Sequence, residues 1–290
     1  MPVLYSYTAM IPSILPSTGP IGVFDSGYGG LTILDKIRGL MPEYDYIYLG
    51  DSARCPYGPR SFEVVYEFTL QAVSKLFELG CPLVILACNT ASAKALRTIQ
   101  QINLPVIDAT RRVLGVIRPT AECIGEITRS RHVGILATAG TIKSESYLLE
   151  IHKLSPDIVV TGEACPMWVS LVENNEYQSE GADYFVKQHI NRLLDKDPMI
   201  DTIILGCTHY PLLLDKIRQF TPGHIRIIAQ GEYVARSLQD YLNPHPEMDA
   251  RCEKGGKCRF LTTESENKFE ESASIFLGRQ DIKVKSIALE

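Results

Sequence analysis

The sequence predicts an α/β protein made of two pseudo-symmetric, doubly wound domains with mainly parallel sheets and an active site in the cleft between them. Three observations support this prediction. Short apolar segments alternate with segments of helical periodicity, as in consecutive βαβ units. The length of 290 residues exceeds what one hydrophobic core usually fills. Two kinds of segment also occur twice along the chain, in the same order each time.

Residues 1–20 contain four prolines and no apolar periodicity, so we expect a loose extension before the fold begins. Beyond it, eight apolar runs have the near-continuous hydrophobicity of parallel strands that helices cover on both faces. These predicted strands are Ile21–Phe24, Tyr46–Leu49, Leu83–Ala87, Val106–Ile107, Val133–Leu136, Ile158–Thr161, Ile203–Leu205 and Ile225–Ile228. The segments between them that have a helical pattern are Leu31–Leu40, Ser61–Leu79, Ala91–Ile102, Thr141–Lys153 and Pro211–Phe220.

The internal repeat links two pairs of segments. IGVFDSGYG, which begins at Ile21, aligns with VGILATAGT, which begins at Val133, and VILACNTAS aligns with IILGCTHYP. The second pair places Cys88 opposite Cys207, each just beyond the end of a predicted strand. Short matches of this kind also arise in unrelated doubly wound proteins. The conserved order of the two segments in both halves favours duplication.

Composition excludes several classes of function. The net charge of −5 gives no indication of a nucleic-acid or anionic-membrane partner, which favours a small-molecule ligand. The eight cysteines include no CxxC pair, so we expect neither a disulfide scaffold nor a dithiol site. Cys252, Cys258 and His245 offer only three zinc ligands at irregular spacing, and we expect no metal.

The N-terminal residues favour a cytoplasmic location. No apolar run reaches the length of a membrane span, and residues 1–20 carry no Lys or Arg for the first region of a signal peptide. We therefore expect the cytoplasm, where thiols stay reduced and available for chemistry.

Four loops follow predicted strands, at the edge where open parallel sheets bind ligands. They are residues 25–30, 88–92, 137–141 and 206–211. Each precedes a predicted helix, whose N-terminal N–H groups favour an anion. The loops contain no Lys or Arg, so N–H and hydroxyl groups would hold a carboxylate, and we expect Lys94 and Arg97 on the following helix to be solvated. The glycine loop matches neither GxGxxG nor a Walker motif, which disfavours a nucleotide.

Cys88 and Cys207 are the candidate reactive groups. A cysteine after an apolar strand is commonly a buried small hydrophobe, but two at equivalent positions, each at a helix N-terminus that lowers a thiol pKa, suggest paired chemistry. One thiolate and one thiol on opposite sides of a carbon atom form a base and acid for stereochemical inversion. Asp25 would assist Cys88, and His209 would assist Cys207.

Other interpretations of these residues remain open. Asp25 and Ser26 are also suitable as helix caps, and His209 as a buried structural histidine. A Cys–His hydrolase would use Cys207 as nucleophile and His209 as base, which leaves Cys88 without a role. A binding or regulatory protein with the same fold would bind the ligand without turnover.

DSGYGG at 25–30, CPYG at 55–58, ACNTAS at 87–92 and GCTHYP at 206–211 closely resemble the motifs of glutamate racemases, within the cofactor-independent aspartate/glutamate racemase superfamily. The resemblance runs from about residue 21 to residue 278, where 261–278 is similar to the family's C-terminal helix. Aspartate racemases usually lack the full first and last motifs, so glutamate is favoured.

The resemblance implies interconversion of L- and D-glutamate without a cofactor, which supplies D-glutamate for peptidoglycan. Cys88 would remove the α-proton from D-glutamate and Cys207 from L-glutamate. Asp25 and His209 would assist proton transfer, and a homodimer is possible. The implied substrate contacts are Asp25, Ser26, Tyr57, Gly58, Asn89, Thr90, Thr138, Thr208 and His209.

The resemblance also implies a further carboxylate and a domain division. CPMWVSLVE at 165–173 matches a family motif that ends in the catalytic Glu173, but Ser170 stands where Pro is usual. The family's second domain is inserted into the first, whose sheet the C-terminal segment completes. The expected division is therefore an extension at 1–20, a first domain of 21–115 with 229–290, and a second domain of 116–228.

Overall fold

The computed structural model describes residues 18–278 and 282–289. Within these described residues, ten strands lie in two wholly parallel sheets. The strands are β1 (Ile21–Asp25), β2 (Tyr46–Gly50), β3 (Leu83–Leu86), β4 (Arg112–Gly115), β5 (His132–Ala137), β6 (Val159–Ala164), β7 (Thr202–Gly206), β8 (Arg226–Ile228), β9 (Cys258–Thr262) and β10 (Val284–Ser286).

The helices fill the connections between these strands. In chain order they are α1 (Leu31–Leu40), α2 (Phe62–Glu78), α3 (Asn89–Lys94), α4 (Leu96–Thr98), α5 (Leu104–Ile107), α6 (Ile117–Ile127), α7 (Ala139–Lys143), α8 (Ser146–Leu154), α9 (Trp168–Glu173), α10 (Glu180–Lys196), α11 (Leu214–Phe220), α12 (Gly231–Leu242), α13 (Pro246–Asp249) and α14 (Glu266–Leu277). A π-helical turn, Ile99–Asn103, joins α4 to α5, and 3₁₀ turns cover Ser52–Arg54 and Tyr210–Leu213. Within the described part of the chain, no helix has both the length and the apolar character to cross a membrane.

The strand orders show the internal symmetry. The first sheet has the order β10-β9-β2-β1-β3-β4 and the second the order β6-β5-β7-β8. Four consecutive strands of the first sheet therefore match the whole second sheet, with β1 equivalent to β5 and β3 to β7. These are the segments that the sequence repeat aligned. The predicted fold of two similar parallel-sheet halves is confirmed.

Each sheet is buried between helices on both faces. Alternate side chains of β1 point to opposite faces: Val23 packs in a cluster with α1, α12 and α14, and Phe24 packs in a cluster with α2. In the second sheet, α9, α10 and α11 cover one face, and α6 and α8 cover the other. This double burial explains the continuous hydrophobicity of the strand sequences.

The sheets also show which segments belong together. The strands that precede residue 116 and those that follow residue 257 form the first sheet, and those between them form the second. The boundaries 21–115 with 229–290 and 116–228 stay a prediction. Of the predicted extension, residues 1–17 lie outside the described residues, and Gly19 forms a parallel bridge with Cys252.

One predicted strand is wrong. Val106–Ile107 ends α5, and the edge strand of the first sheet is instead β4. Val106 is 85% exposed, whereas Val113 at the centre of β4 is buried against β3. This strand was not predicted because it begins next to two arginines, at 111–112, and buried strands are predicted from runs of apolar residues. Arg111 is itself buried, donating to the carbonyl oxygens of Phe77 and Cys81.

Two predicted helices are interrupted. The segment Ala91–Ile102 contains the end of α3, α4 and most of the π-helical turn. The segment Thr141–Lys153 breaks at Glu145, which has a left-handed backbone (φ 55°) between α7 and α8. Ser144 ends α7, and its hydroxyl donates to the carbonyl oxygen of Thr141 (2.7 Å).

Candidate active site

The four strand-end loops meet in the cleft between the two sheets. The hydroxyl oxygens of Thr90, after β3, and Thr138, after β5, are 3.0 Å apart. Thr208, after β7, donates from Oγ1 to Oδ1 of Asp25 at the end of β1 (3.4 Å). The carboxyl ends of the strands in the two halves thus face each other, with β3 opposite β5 and β7 opposite β1.

Gly29 allows the glycine loop to approach the second half closely. A Cβ atom at this position would overlap Oγ1 of Thr208 and lie 2.5 Å from Nδ1 of His209. Neither contact is compatible with a side chain, so the glycine is required by the close approach of the two loops. The glycine at position 29 therefore has a steric reason.

Cys88 is a buried thiol that caps α3. Its sulfur accepts from the N–H of Ala91 (3.4 Å) and donates to Oγ of Ser26 (3.3 Å). Burial and the charge of Asp25 raise the pKa of Cys88 to about 12, against the lowering effect of these two hydrogen bonds. The N–H of Ala91 at the helix N-terminus does lower this pKa, as expected, but desolvation and Asp25 outweigh it, so the expected net lowering of the Cys88 pKa is wrong. Burial thus favours the thiol form of Cys88.

Asp25 lies beside Cys88 at the floor of the cleft. Its Oδ2 accepts from the N–H of Gly27 (2.9 Å), and its side chain is fully buried. Burial raises the pKa of Asp25, although the charge of His209 and the N–H of Gly27 favour the carboxylate. A carboxyl group with a raised pKa, hydrogen-bonded across the cleft, is suited to exchange protons.

Cys207 forms one end of a chain of polar groups. Its Sγ lies 3.8 Å from Nδ1 of His209, and Nε2 of His209 lies 3.0 Å from Oε1 of Glu173. Burial opposes protonation of the imidazole, but the hydrogen bonds and charges of Cys207 and Glu173 raise the pKa of His209 to about 10. Burial raises the pKa of Glu173, but hydrogen bonding and charge from His209 lower it overall. Glu173 is thus a carboxylate that holds a protonated imidazole beside Cys207.

The two thiols lie in one electrostatic environment. Cys207 contributes to the raised pKa of Cys88, so a charge on one sulfur affects the other. Their immediate partners differ: a serine hydroxyl and a carboxyl group lie beside Cys88, and an imidazole lies beside Cys207. Two buried sulfur atoms with different acid–base partners are suited to proton transfer at two faces of one ligand.

Threonine hydroxyl groups line one wall of the cleft, where the loops after β3 and β5 meet. Thr141 completes a triangle with Thr90 and Thr138, with Oγ1–Oγ1 distances of 3.3 and 3.1 Å. The carbonyl oxygen of Gly58 accepts from the N–H of Gly140 (3.1 Å), which joins the two halves at the same wall. Thr141 was missed from the sequence, although it lies in a strand-end loop.

Asn89 belongs to a closed ring of buried hydrogen bonds. Its Nδ2 donates to Oε1 of Gln230 (2.7 Å), Nε2 of Gln230 donates to the hydroxyl of Tyr147 (2.7 Å), and that hydroxyl donates to Oδ1 of Asn89 (2.6 Å). One N–H of Asn89 is left for a ligand. Gln230 follows β8, so it could have been predicted by examining the residues after that strand as well. No sequence pattern identifies Tyr147.

Tyr57 has its side chain in the core. Its ring packs against Phe24 and Phe68, and its hydroxyl donates to Oδ2 of Asp51. Asp51 also accepts from Nε of Arg54 (2.7 Å). The hydroxyl is committed to this network, so the predicted role of Tyr57 in substrate binding would depend on its backbone.

Lys94 is buried, which contradicts the expectation that it is solvated. Only 8% of the residue is exposed, and Nζ donates to the carbonyl oxygen of Arg60 (2.6 Å). Burial lowers its pKa. Arg97 lies on the surface, as expected. Among the described residues, no group of three or more His, Cys, Asp or Glu side chains is arranged to hold a metal ion.

Comparison with known proteins agrees with this geometry. A family model described as Asp/Glu/Hydantoin racemase matches residues 32–238. A glutamate racemase of Bacillus cereus is 40% identical over 271 residues, which are 93% of this chain and 97% of that protein.

Solved structures give the same relationship. A glutamate racemase isoform of Bacillus anthracis superposes with a TM-score of 0.85 at 36% identity, over 93% of this chain and 98% of the other. The glutamate racemase of Francisella tularensis, solved in complex with D-glutamate, gives 0.82 at 31% identity, over 94% and 99% of the two chains. On the strength of the paired cleft thiols and of these matches, this chain belongs to the Asp/Glu/hydantoin racemase family.

Proposed function

We propose that this chain is a cofactor-independent isomerase that interconverts L- and D-glutamate. The observation that carries the proposal is the placement of Cys88 and Cys207 at equivalent strand ends of two matching sheets, within electrostatic range of each other. A hydrolase needs one nucleophile and one base, and leaves the second buried thiol unexplained. The names of the relatives support glutamate as the substrate.

The proposed reaction uses each thiol once per turnover. With L-glutamate, Cys207 as thiolate removes the α-proton, and Cys88 as thiol gives its proton to the opposite face of the α-carbon. The enzyme then holds the new proton on Cys207 and a thiolate at Cys88. D-Glutamate uses the same steps in reverse, because the two groups exchange roles with direction.

The surrounding residues support each proton transfer. We assign His209 and Glu173 to the Cys207 side, where the imidazole exchanges a proton with the sulfur. Asp25 and Ser26 serve the Cys88 side. Hydroxyl and N–H groups replace the lysine or arginine that a carboxylate ligand usually meets.

The test follows the α-carbon directly. Circular dichroism should show L- and D-glutamate approaching the same racemic mixture, with no change for either enantiomer of aspartate. In D₂O, proton NMR should show deuterium entering at the α-carbon. Glutamate that stays unlabelled while an amide or ester substrate is cleaved would favour the Cys–His hydrolase. Calorimetric binding of glutamate without racemisation would favour a binding protein.

We further propose a cytoplasmic location, a homodimeric assembly and a role in supplying D-glutamate for peptidoglycan. The location is supported by Cys88 and Cys207, which need a reducing compartment to act as thiols. Light scattering coupled to size-exclusion chromatography measures the assembly state. Depletion of the protein in its host, followed by supplementation with D-glutamate, tests the supply role through restored growth.

A further inference from the structure

Cys55 makes a hydrogen bond across the cleft that the proposed reaction has not used. Its Sγ donates to Oε1 of Glu173 at 3.1 Å. Cys55 lies in the loop after β2 of the first sheet, whereas Glu173 is the last residue of α9, which packs on the second sheet. The bond therefore joins the two halves of the molecule.

A single carboxylate oxygen receives two donors. Oε1 of Glu173 accepts from Nε2 of His209 at 3.0 Å and from Sγ of Cys55 at 3.1 Å. His209 then reaches Cys207 through its other ring nitrogen. Four side chains thus form a continuous chain from Cys55 to Cys207, and the carboxylate is fixed from both sides.

The backbone at Gly27 closes the space around this contact. A Cβ atom at Gly27 would lie 3.0 Å from Sγ of Cys55 and 3.4 Å from Oε1 of Glu173. The thiol and the carboxylate therefore pack against the glycine loop that also carries Asp25. Burial and the charge of Glu173 raise the pKa of Cys55 well above its ordinary value, so its proton stays on sulfur and remains available to donate.

We propose that Cys55 is a positioning residue for the reaction, whose S–H holds the Glu173 carboxylate against His209 and so completes the Cys207 side of the site. Cys55 transfers no proton and forms no covalent bond. The inference rests on the proposed function, because it concerns the group that removes the α-proton of L-glutamate.

The test uses a constraint that every racemase obeys. The equilibrium constant between enantiomers is one, so kcat/KM must fall by the same factor in both directions whatever is changed. The primary isotope effects measured with the two α-deuterated enantiomers show instead whether the Cys207 step or the Cys88 step is impaired. A slower Cys207 step raises the isotope effect on kcat/KM for L-glutamate, where this step removes the deuterium. A slower Cys207 step lowers the isotope effect for D-glutamate. In that direction Cys88 removes the deuterium reversibly, and the slow step is the later protonation by Cys207.

Cys55→Ala and Cys55→Val both remove the donor, and the valine keeps the volume. We expect kcat/KM to fall about tenfold in each, equivalent to about 1.4 kcal/mol of barrier. The isotope effect should rise for L-glutamate and fall for D-glutamate. Cys55→Ser keeps a donor and should recover most of the activity and the isotope effects of the unchanged enzyme. Cys123→Ala, which removes a half-buried thiol that donates to a carbonyl on α6, is the matched control and should change none of these values.

Several outcomes overturn the inference. Unchanged kcat/KM in both donor-free variants does so, as do isotope effects that change equally for the two enantiomers, which indicate a structural role. An isotope effect that rises for D-glutamate places Cys55 on the Cys88 side and also refutes it. If the unchanged enzyme does not racemise glutamate at all, the proposed function fails instead.

Discussion

Gln230 offers a sharp test of the way the two halves are joined. Its Nε2 donates to the carbonyl oxygen of Val116 (3.0 Å), where the chain first crosses between the sheets, and Gln230 itself lies at the second crossing. The same side chain closes the ring with Asn89 and Tyr147. Gln230→Met keeps the length of the side chain and removes all of these hydrogen bonds.

The magnitude follows from the groups left without partners. Nδ2 of Asn89 and the carbonyl oxygen of Val116 are both buried, and each unsatisfied group costs about 1–3 kcal/mol. The hydroxyl of Thr120 keeps a weak contact with Val116 (3.5 Å), which limits the loss. We therefore expect a loss of roughly 2–5 kcal/mol in unfolding free energy. For a chain of this size, at about 2 °C per kcal/mol, the loss lowers Tm by roughly 4–10 °C.

Differential scanning calorimetry measures this shift, and racemisation kinetics measure its functional consequence. Release of the Asn89 amide should raise KM for glutamate roughly tenfold, the worth of one hydrogen bond to a charged group. Gln100→Met is the matched control, because Gln100 lies on the surface and makes a single bond to the carbonyl oxygen of Val113 (2.7 Å). A Tm shift in Gln230→Met no larger than in the control would refute the reasoning.

The remaining predictions concern the acid and base groups. Cys88→Ser and Cys207→Ser should each lose racemisation by at least ~10²-fold with circular dichroism spectra unchanged, since a serine hydroxyl is a far weaker acid than a thiol. Cys88→Ser should retain α-deuterium exchange with L-glutamate only, and exchange with D-glutamate alone would reverse the assignment. The fold raises the pKa of His209 from its ordinary value of 6.5 to about 10. The protonated imidazole therefore contributes fully to the stability of the folded chain below pH 6.5, and this contribution is lost as the pH rises through about 10. Glu173→Gln should therefore move the alkaline limb of kcat/KM to lower pH, and an unmoved limb would exclude this carboxylate as the partner of His209.

The spacing of apolar residues and the internal sequence repeat predicted most of the fold, because apolar runs mark the buried strands. The strands β1, β3, β5 and β7 are covered on both faces, and their sequences are apolar except at one end of β1, β5 and β7. The edge strand β4 begins at an exposed arginine and was placed in the wrong segment. The edge strand β10 was not predicted, because only one of its three residues is buried.

The sequence predicted those site residues that directly follow a strand. Cys88, Cys207 and Asp25 lie at strand ends, where parallel topology brings side chains together without knowledge of distances. Tyr147 lies on a helix, and its contact with Asn89 depends on how the second half packs against the first. Sequence spacing also gives no measure of desolvation, which is why the net shift of the Cys88 pKa was predicted with the wrong sign, although the helix terminus does lower it.

The unequal surroundings of the two thiols predict unequal kinetics for the two enantiomers. Burial and Asp25 raise the pKa of Cys88 to about 12, so the resting enzyme carries a thiol there, which is the form that accepts L-glutamate in the proposed reaction. D-Glutamate needs a thiolate at Cys88, a less populated form, and its KM should be higher. Since kcat/KM must be equal in both directions, kcat should be higher for D-glutamate by the same factor. Initial rates by circular dichroism measure both constants, and a lower KM for D-glutamate would show that Cys88 is the resting base.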